Sequence, residues 1–513
     1  MPSIHAEKNP EKSMPLRNAE RSEGPIKHTD VIVIGGGGAG LAAASAAASA
    51  GRSVVLLEKN AELGGTTAWS VGSVSATRTS YQRARGIEDS PADHWEDLKL
   101  FSGKELARDN LDLNRVLCEE TPEMFRWLES AGLEFIGPMP EPPHRQPRMH
   151  NVLPNSRAFP YHLGRLCRRQ GVHIELKARV IELIFDGEAA RGVRVQMADG
   201  SEHVWHAKGG VVLAAGDFSA NREMKERFAS ALAAASAPMN PSSTGDGIAM
   251  GLDAGGAIVN GDHLRGPVIR FVPPVRPAWV TQLPPYRWLT RSMRFAFEHL
   301  PAAFLRPFMM RFLTTSLAPD ATLFNEGVML VDRDGRRIME RGGNRHHATA
   351  GAPGAISYLV FDSRIAKMFE AWPHFISTAP GIAYAYLDDY RRTRKDIFFT
   401  APTIDALAAR LGMPAAALHD SAAKHGPGDR EWSLDHPPYF ALGPAKAYVV
   451  FTNGGLKVSA KTEVLQEDGT PIPGLFAAGS NGQGGMLLEG HGHHLGWAFV
   501  SGRIAGRNAA ARC

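Results

Sequence analysis

The sequence predicts an α/β protein built around a Rossmann-like dinucleotide-binding unit. Three observations near its beginning carry that expectation. Asp30-Val-Ile-Val-Ile34 is a short, apolar, β-branched run, the pattern of a strand buried on both faces. It passes directly into Gly35-Gly-Gly-Gly-Ala-Gly40 and then into a helix of small residues, Leu41 to Ala50. Gly51 stops that helix, and Ser53-Val-Val-Leu-Leu57 supplies a second strand ending at Glu58. Strand, glycine turn, helix, strand and acid in this order form the dinucleotide fingerprint in its proper context. Gly35 permits the tight turn, Gly37 lets backbone approach a pyrophosphate, and Gly40 lets helix pack on strand. Gly38 and Ala39 lead into a helix N-terminus whose free N–H groups and partial positive charge suit phosphate. Glu58 stands where a carboxylate accepts hydrogen bonds from a ribose.

The chain has 513 residues, enough for more than one hydrophobic core. A net charge of only +4 gives no general affinity for nucleic acid. Cys118, Cys167 and Cys513 lie far apart with no CxxC pair, which excludes a disulfide framework and a cysteine-rich metal or iron–sulfur site. No metal is expected. Residues 1–27 are polar, mixed in charge and contain Pro10, Pro15 and Pro25; they read as a disordered leader without the apolar core of a signal peptide. No apolar run reaches membrane-spanning length, so a cytoplasmic protein is expected.

Beyond Glu58, the stretch from Gly64 to Ser80 is rich in Gly, Ser and Thr and reads as a loop. Trp95, Leu98, Leu113, Leu117, Phe125 and Leu128 recur at helical spacing, and the prolines between Pro138 and Pro147 mark another loop. Phe159 to Arg169 predicts a helix; Val172 to Leu176 and Val180 to Phe185 predict strands. Arg191–Met197 and His203–His206 predict a hairpin, and Gly210 to Gly216 a separate buried strand. Thr244-Gly-Asp-Gly247 opens a helix reaching Ala254.

Residues 263–320 change character. Arg265, Arg270, Arg276, Arg287, Arg291, Arg294, Arg306 and Arg311 are met only by Glu298 before Asp320 closes the stretch. Trp279, Trp288, Phe295, Phe297, Phe304 and Phe308 lie between them, and Pro301 and Pro307 are expected to break the segment. It reads as a solvated basic cap face, or as a surface that touches anionic lipid or admits an apolar substrate. Strands at Val328, Tyr358, Tyr448 and Leu475, short helices near Leu407 and Ala415, and a closing helix from Leu495 to Ala511 complete the chain.

After Glu58, Lys59-Asn60 and Leu63-Gly64-Gly65-Thr66-Thr67 resemble FAD-binding flavoproteins more than nicotinamide dehydrogenases. Ala214-Ala-Gly-Asp-Phe218, Thr244-Gly-Asp-Gly247, Gly454-Gly-Leu456 and Pro473-Gly-Leu-Phe-Ala-Ala-Gly479 follow in order. Together they resemble the flavoprotein family of soluble fumarate reductases, the succinate dehydrogenase flavoprotein subunit and 3-ketosteroid dehydrogenases. Gly64-Gly-Thr-Thr-Ala-Trp-Ser70 looks closest to the ketosteroid dehydrogenase branch. The resemblance implies a Rossmann-like FAD domain in two segments (28–262 and 441–513) around an inserted α+β capping domain (263–440). It implies FAD contacts from the fingerprint residues and Glu58, and from Lys59, Gly64, Gly65, Thr66, Thr67, Val180, Ala215, Gly216, Asp246, Gly479 and Ser480. The closing helix would aim its start, including His494 and Leu495, at the flavin. Thr66 stands where membrane-bound relatives carry a flavin-linked histidine, so the FAD is expected to be non-covalent.

The family moves a hydride between flavin and one carbon of a C–C bond while a proton passes at the neighbouring carbon. No second GxGxxG unit is present, so a quinone or another electron acceptor, rather than a nicotinamide, is implied. Val450 and Phe451 replace a fumarate-reductase histidine, Glu489 stands near its arginine, and Leu488 stands at the ketosteroid-dehydrogenase tyrosine. Neither catalytic set carries over. Glu489, His491 and His493 are the local candidates for proton transfer, because imidazole titrates near neutrality and a carboxylate can orient it. Metal binding and simple packing beneath the flavin are the competing readings of that loop. In the cap, Gly335 to Glu340 resembles the family's acidic segment, Arg345 could join a proton path, and Tyr384 and Tyr386 could polarise a carbonyl. These readings lead to oxidoreduction of an activated C–C bond in a small apolar or mono-anionic substrate. The alternatives are a fumarate-type reductase and a non-catalytic flavoprotein recruited to a membrane surface.

Overall fold

In a computed structural model, which describes residues 25–276, 278–339, 344–379, 383–425 and 434–513, the fingerprint stretch becomes the centre of a parallel sheet. The strand Ile26–Ile34 pairs with Val54–Glu58 on one side and Glu202–Leu213 on the other. Its first residues, Ile26 and Lys27, lie within the segment expected as a leader; residues 1–24 lie outside the described ones. Outward from this centre come His173–Leu176 at one edge and Pro471–Ala477, then Glu463–Leu465, at the other. All neighbours are parallel except that last pair. Val31, Ile32 and Val33 are wholly buried, as strands covered on both faces must be.

Two expected strands prove to be one. The second arm of the predicted hairpin runs on through Leu213 as Glu202–Leu213. Its pairing with Ile26–Ile34 resumes after a register shift at Lys208–Gly209 and so carries it past the two glycines. Ala189–Gln196 occupies one half of its outer edge, Pro471–Ala477 the other half, and Ile26–Ile34 its whole inner edge.

The helix Gly38–Ser49 packs against the closing helix His493–Ala511 through small residues. A Cβ on Gly502 would lie 2.3 Å from the Ala39 carbonyl oxygen, and one on Gly506 2.1 Å from that of Ala43. Only glycine permits this approach of two backbones.

A second core extends from Ile269 to Ala445. Its sheet is organised on the long strand Tyr439–Val449, flanked by Ile356–Phe361, Val268–Phe271 and Phe398–Ala401. The helix Ala302–Ser316 packs on this core, and Arg287–His299 beside it packs against the strands Glu134–Met139 and Met149–Leu153. Pro301 separates them as expected, whereas Pro307 sits inside the second helix. The missing N–H of Pro307 costs that helix a hydrogen bond. Burial of Met310 and Leu313 on the same helix offsets the loss. The loop expected from Gly64 also contains a short helix, Gly65–Trp69, and a strand, Ser73–Ser75. Among the described residues no helix is long and apolar enough to cross a membrane.

Candidate active site

The carboxyl ends of the parallel strands open onto a cleft of about 820 Å³, the usual ligand position in such sheets. Its walls come from most of the segments that the motifs singled out, Gly454–Leu456 excepted. Gly35, Gly37, Gly38, Ala39, Glu58, Lys59, Gly65, Thr66, Thr67, Val180, Ala215, Gly216, Asp246, Gly479 and Ser480 all line it. Gly37 faces open space, with no atom nearer than 3.9 Å to a Cβ placed there. Gly40 does not line the cleft: a Cβ there would sit 1.8 Å from the Gly35 carbonyl oxygen, so this glycine closes the turn from behind. Gly64 shapes the wall indirectly, its N–H donating to the Gly36 carbonyl at 2.9 Å. His494 and Leu495 lie outside the lining; the His494 ring rests on Phe451, with centroids 4.1 Å apart.

Charge in the cleft is locally balanced. Lys59 pairs with Asp246 at 3.0 Å, and Arg179 reaches the same carboxylate at 3.2 Å. Burial pushes the Asp246 carboxyl up, but Lys59 and then Arg179 outweigh it and hold it below the usual range. Glu58 accepts from the Gly36 N–H at 2.6 Å and from the Asn60 backbone and side chain at 2.8 and 2.7 Å. The Thr66 hydroxyl accepts from Asn240 at 2.8 Å and lies 3.2 Å from Ser243.

A second, apolar cavity of about 980 Å³ lies between this domain and the cap helices. Val71, Ile136, Met149 and Leu153 form one wall; Met293, Phe297, Phe308, Met309 and Leu313 form the other. Its polar groups are Ser73, Asn151, Asn155, Thr378 and His491, with no arginine, lysine or carboxylate among the described lining residues. Asn155 also lines an adjoining hollow that contains Gly65 and Asn240, residues of the cofactor cleft, so the two spaces are neighbours.

Of the three loop candidates, only His491 borders this cavity. Its Nδ1 makes a very short hydrogen bond to the Glu141 carboxylate, and its backbone N–H donates to both oxygens of the same group at 2.9 and 3.2 Å. The Ser75 hydroxyl fixes the His491 carbonyl at 2.7 Å. Nδ1 is therefore occupied, and Nε2 is the nitrogen left to exchange a proton. Burial raises the Glu141 carboxyl, but the His491 contacts reverse this and keep it below the usual range. Glu141 was not singled out in the sequence. It lies in the proline-rich loop, 350 residues before His491, and nothing local marks it.

Glu489 turns to Arg265 instead, in an ion pair of 2.7 Å at the edge of the cap. The preceding Leu488 adopts φ 54°, a conformation rare outside glycine and often found at functional loops. His493 is buried below the loop. Its Nδ1 donates to the Glu489 carbonyl at 2.7 Å, and its Nε2 lies 3.2 Å from that of His94. His144 completes a cluster of three imidazoles whose nearest ring nitrogens all fall within 4.8 Å. Arg148 donates to His144 Nδ1 at 2.8 Å, which places the neutral ring's proton on Nε2 and withdraws that nitrogen as a metal ligand. Burial pushes His493 down to about 4 and His144 to about 2, so the cluster is neutral at physiological pH. Arg148 is itself clamped by Asp89 at 2.7 Å and Asp97 at 2.6 Å.

The cap candidates are not brought to the cavity. Arg345 opens the helix Arg345–Ala350, donates to the Ala321 carbonyl at 3.3 Å and lies over Phe324. Tyr384 pairs with Thr378 across a short hairpin, but its ring packs on Trp372 and Phe375 at the surface. The Tyr386 ring lies beneath Arg306, 5.3 Å from centroid to guanidinium. Glu340 lies outside the described residues.

A glycine-walled dinucleotide cleft at the carboxyl ends of a parallel sheet, beside a capped apolar cavity, defines a two-part redox flavoprotein fold. A family model described as an FAD binding domain matches residues 30–277 and 300–487, and the chain belongs to that family. A probable fumarate reductase, Ifc3, of Shewanella frigidimarina is 25% identical over 95% of this chain and 76% of its own length. The open form of a flavocytochrome c3 fumarate reductase superposes with a TM-score of 0.72 at 23% identity, covering 98% of this chain and 84% of that one. A 3-ketosteroid Δ1-dehydrogenase from Sterolibacterium denitrificans superposes with a TM-score of 0.65 at 20% identity, covering 94% and 100%. The chain is thus an FAD-dependent oxidoreductase, similar over most of its length to fumarate reductases. The cleft fits the cofactor. Gly37 leaves room for a pyrophosphate, the helix Gly38–Ser49 presents its N-terminus there, and Glu58 stands at the ribose end.

Proposed function

We propose that this enzyme dehydrogenates, or in reverse reduces, an activated C–C bond of an apolar or mono-anionic enone-type substrate held in the second cavity. One observation carries the reading. The cavity offers apolar walls and neutral hydrogen-bonding groups but no cation for a dicarboxylate among its described lining residues. A carboxylate moved there without a partner would cost several kcal/mol, on the order of what an unpaired buried charge costs.

Bound FAD supplies the hydride acceptor or donor. The chain supplies the rest. Gly37, Gly38 and Ala39 hold the pyrophosphate, Glu58 the ribose, and Thr66, Thr67, Gly479 and Ser480 line the path towards the ring. A threonine hydroxyl in place of a linking imidazole leaves the cofactor non-covalent. His491 holds or moves the proton at Nε2, and Glu141 fixes its tautomer and stabilises its cationic form. The Asn151 amide, its oxygen held by the Ser73 hydroxyl at 2.5 Å, can donate to a substrate carbonyl, and the two cap helices exclude water. Segments 28–262 and 441–513 form the FAD domain and 263–440 the cap. A quinone or another soluble carrier takes the electrons, and the protein works in the cytoplasm.

The test is anaerobic reduction of the bound flavin followed by a panel of oxidants. Rapid reoxidation by enones or steroid enones, with none by fumarate, is the expected result; rapid reoxidation by fumarate alone overturns the reading. A second reading, reduction of an unsaturated carboxylate, rests on Arg265, which stays near the loop while neutralising Glu489. Turnover of fumarate with a reduced viologen dye would favour it. If flavin binds and no oxidant in the panel turns over, the non-catalytic class remains.

A further inference from the structure

The helices Arg287–His299 and Ala302–Ser316 have two different apolar faces. Their inner residues Met293, Phe297, Phe308 and Met309 line the substrate cavity. Their outer residues are aromatic and uncovered: Phe304 is 76% exposed, Trp288 69% and Phe295 61%. Leu300, at the turn between the helices, is 48% exposed, and Trp279 beside them 55%.

Arginines are interleaved with these side chains. Trp288, Arg291 and Phe295 share a face by helical spacing, as do Phe304 and Arg311, seven residues apart. Arg287 and Arg311 are exposed and make no ion pair among the described residues. The single acid of the hairpin, Glu298, is already paired with Arg294 at 3.4 Å.

We propose that this outer face docks on an anionic lipid bilayer, seating the cap in the headgroup layer. Aromatic rings beside arginines match an interface whose upper part is anionic and whose lower part is hydrocarbon. Arg291 and Arg294 are held by Glu134 at 3.5 and 2.9 Å, which leaves Arg287 and Arg311 as the cations that face outward. A second copy of the chain is the poorer occupant, because a two-fold contact would set Arg287 and Arg311 against their own images. The docked cap places the apolar cavity one helix thickness from the membrane, so an apolar substrate or quinone can pass to the enzyme without crossing water. That last consequence rests on the proposed function; the docking itself does not.

The test is vesicle flotation of the FAD-loaded protein, read by flavin absorbance without turnover. Recovery with phosphatidylglycerol-containing vesicles, little recovery with pure phosphatidylcholine and release by high salt are expected. Replacing Arg287 and Arg311 together with Gln should weaken binding about thirty-fold, and Trp288→Ser with Phe304→Ser should abolish it while flavin content is unchanged. Equal failure to float with both lipids overturns the proposal. So does a lipid-independent dimer in sedimentation that the Trp288→Ser, Phe304→Ser variant dissolves. A Trp288→Ser, Phe304→Ser variant that floats like the parent also overturns it, whereas a parent protein that floats as expected but whose reduced flavin no enone reoxidises counts against the substrate reading alone.

Discussion

The cofactor cleft and the substrate cavity are built on opposite principles. The cleft is made largely of backbone, with glycines, helix starts and strand ends fixing its shape, each within its own short motif. The cavity is made of side chains from segments distant in sequence, and its best candidate for proton transfer depends on a contact spanning 350 residues. A backbone site tolerates few residues and announces itself as motif. A side-chain site tolerates many and is defined only once the chain has folded.

The sharpest way to break this contrast is to fill the backbone site. Gly40→Val places a side chain 1.8 Å from the Gly35 carbonyl oxygen. It is expected to abolish FAD binding and to cost about 4 kcal/mol or more, read as lost flavin absorbance and a collapsed urea midpoint.

Changes in the cavity should spare flavin and strike turnover. His491→Ala is expected to lower kcat by about 10²- to 10⁴-fold with full flavin content. Glu141→Gln should lower it less, because the neutral amide still reaches His491 Nδ1 but no longer carries the charge that stabilises an imidazolium. Stopped-flow reduction across pH decides the matter; full loss of flavin in either variant would refute the separation of the two sites.

An intermediate effect lies beneath the loop. Burial depresses His493 from 6.5 to about 4 in the folded protein. The unfolded chain therefore takes up a proton first as pH falls. The stability linked to the neutral imidazole is complete above about 6.5 and is lost progressively towards the folded value. Between pH 6.5 and 5 the loss is about 2 kcal/mol, measurable by urea unfolding at the two pH values. His493→Asn should remove only its own share of that slope, because burial also depresses His94 and His144 in the same cluster. The smallest effect belongs to the balanced cleft wall: Lys59→Met should weaken FAD by about tenfold or less, since a partly exposed ion pair contributes about 1 kcal/mol. Titration of the apoprotein with FAD checks it.

The same contrast explains how much was legible in the sequence. The α/β class and the fingerprint follow from local pattern, and the other residues that line the cleft were implied by a resemblance that rests on short glycine motifs in a fixed order. Gly40 was correctly valued but acts behind the wall, and His494 and Leu495 are displaced from the cleft by the steep start of the closing helix. At the catalytic loop three candidates were legible but not their directions. Alternation of Gly490 and Gly492 turns His491 outward to Glu141, Glu489 to Arg265 and His493 inward to His94. Arg345 and Tyr384 carry suitable chemistry, yet their partners, Phe324 and Trp372, occupy them in the cap. Pro307 misleads because a helix rule ignores the burial that tertiary packing adds.

The closing helix, pressed by Gly502 and Gly506 onto the helix that follows the fingerprint, sets the timetable of biosynthesis. Residues 26–58 leave the ribosome first, but their strand lacks its far neighbours, and their helix its cover, until Pro471–Ala477 and His493–Ala511 have emerged. The nascent chain must keep an apolar βαβ unit out of trouble while the rest of the domain and the whole cap are made. Cofactor loading is thus a post-translational event, and any message truncated before the last helix yields a polypeptide that cannot be rescued by added flavin.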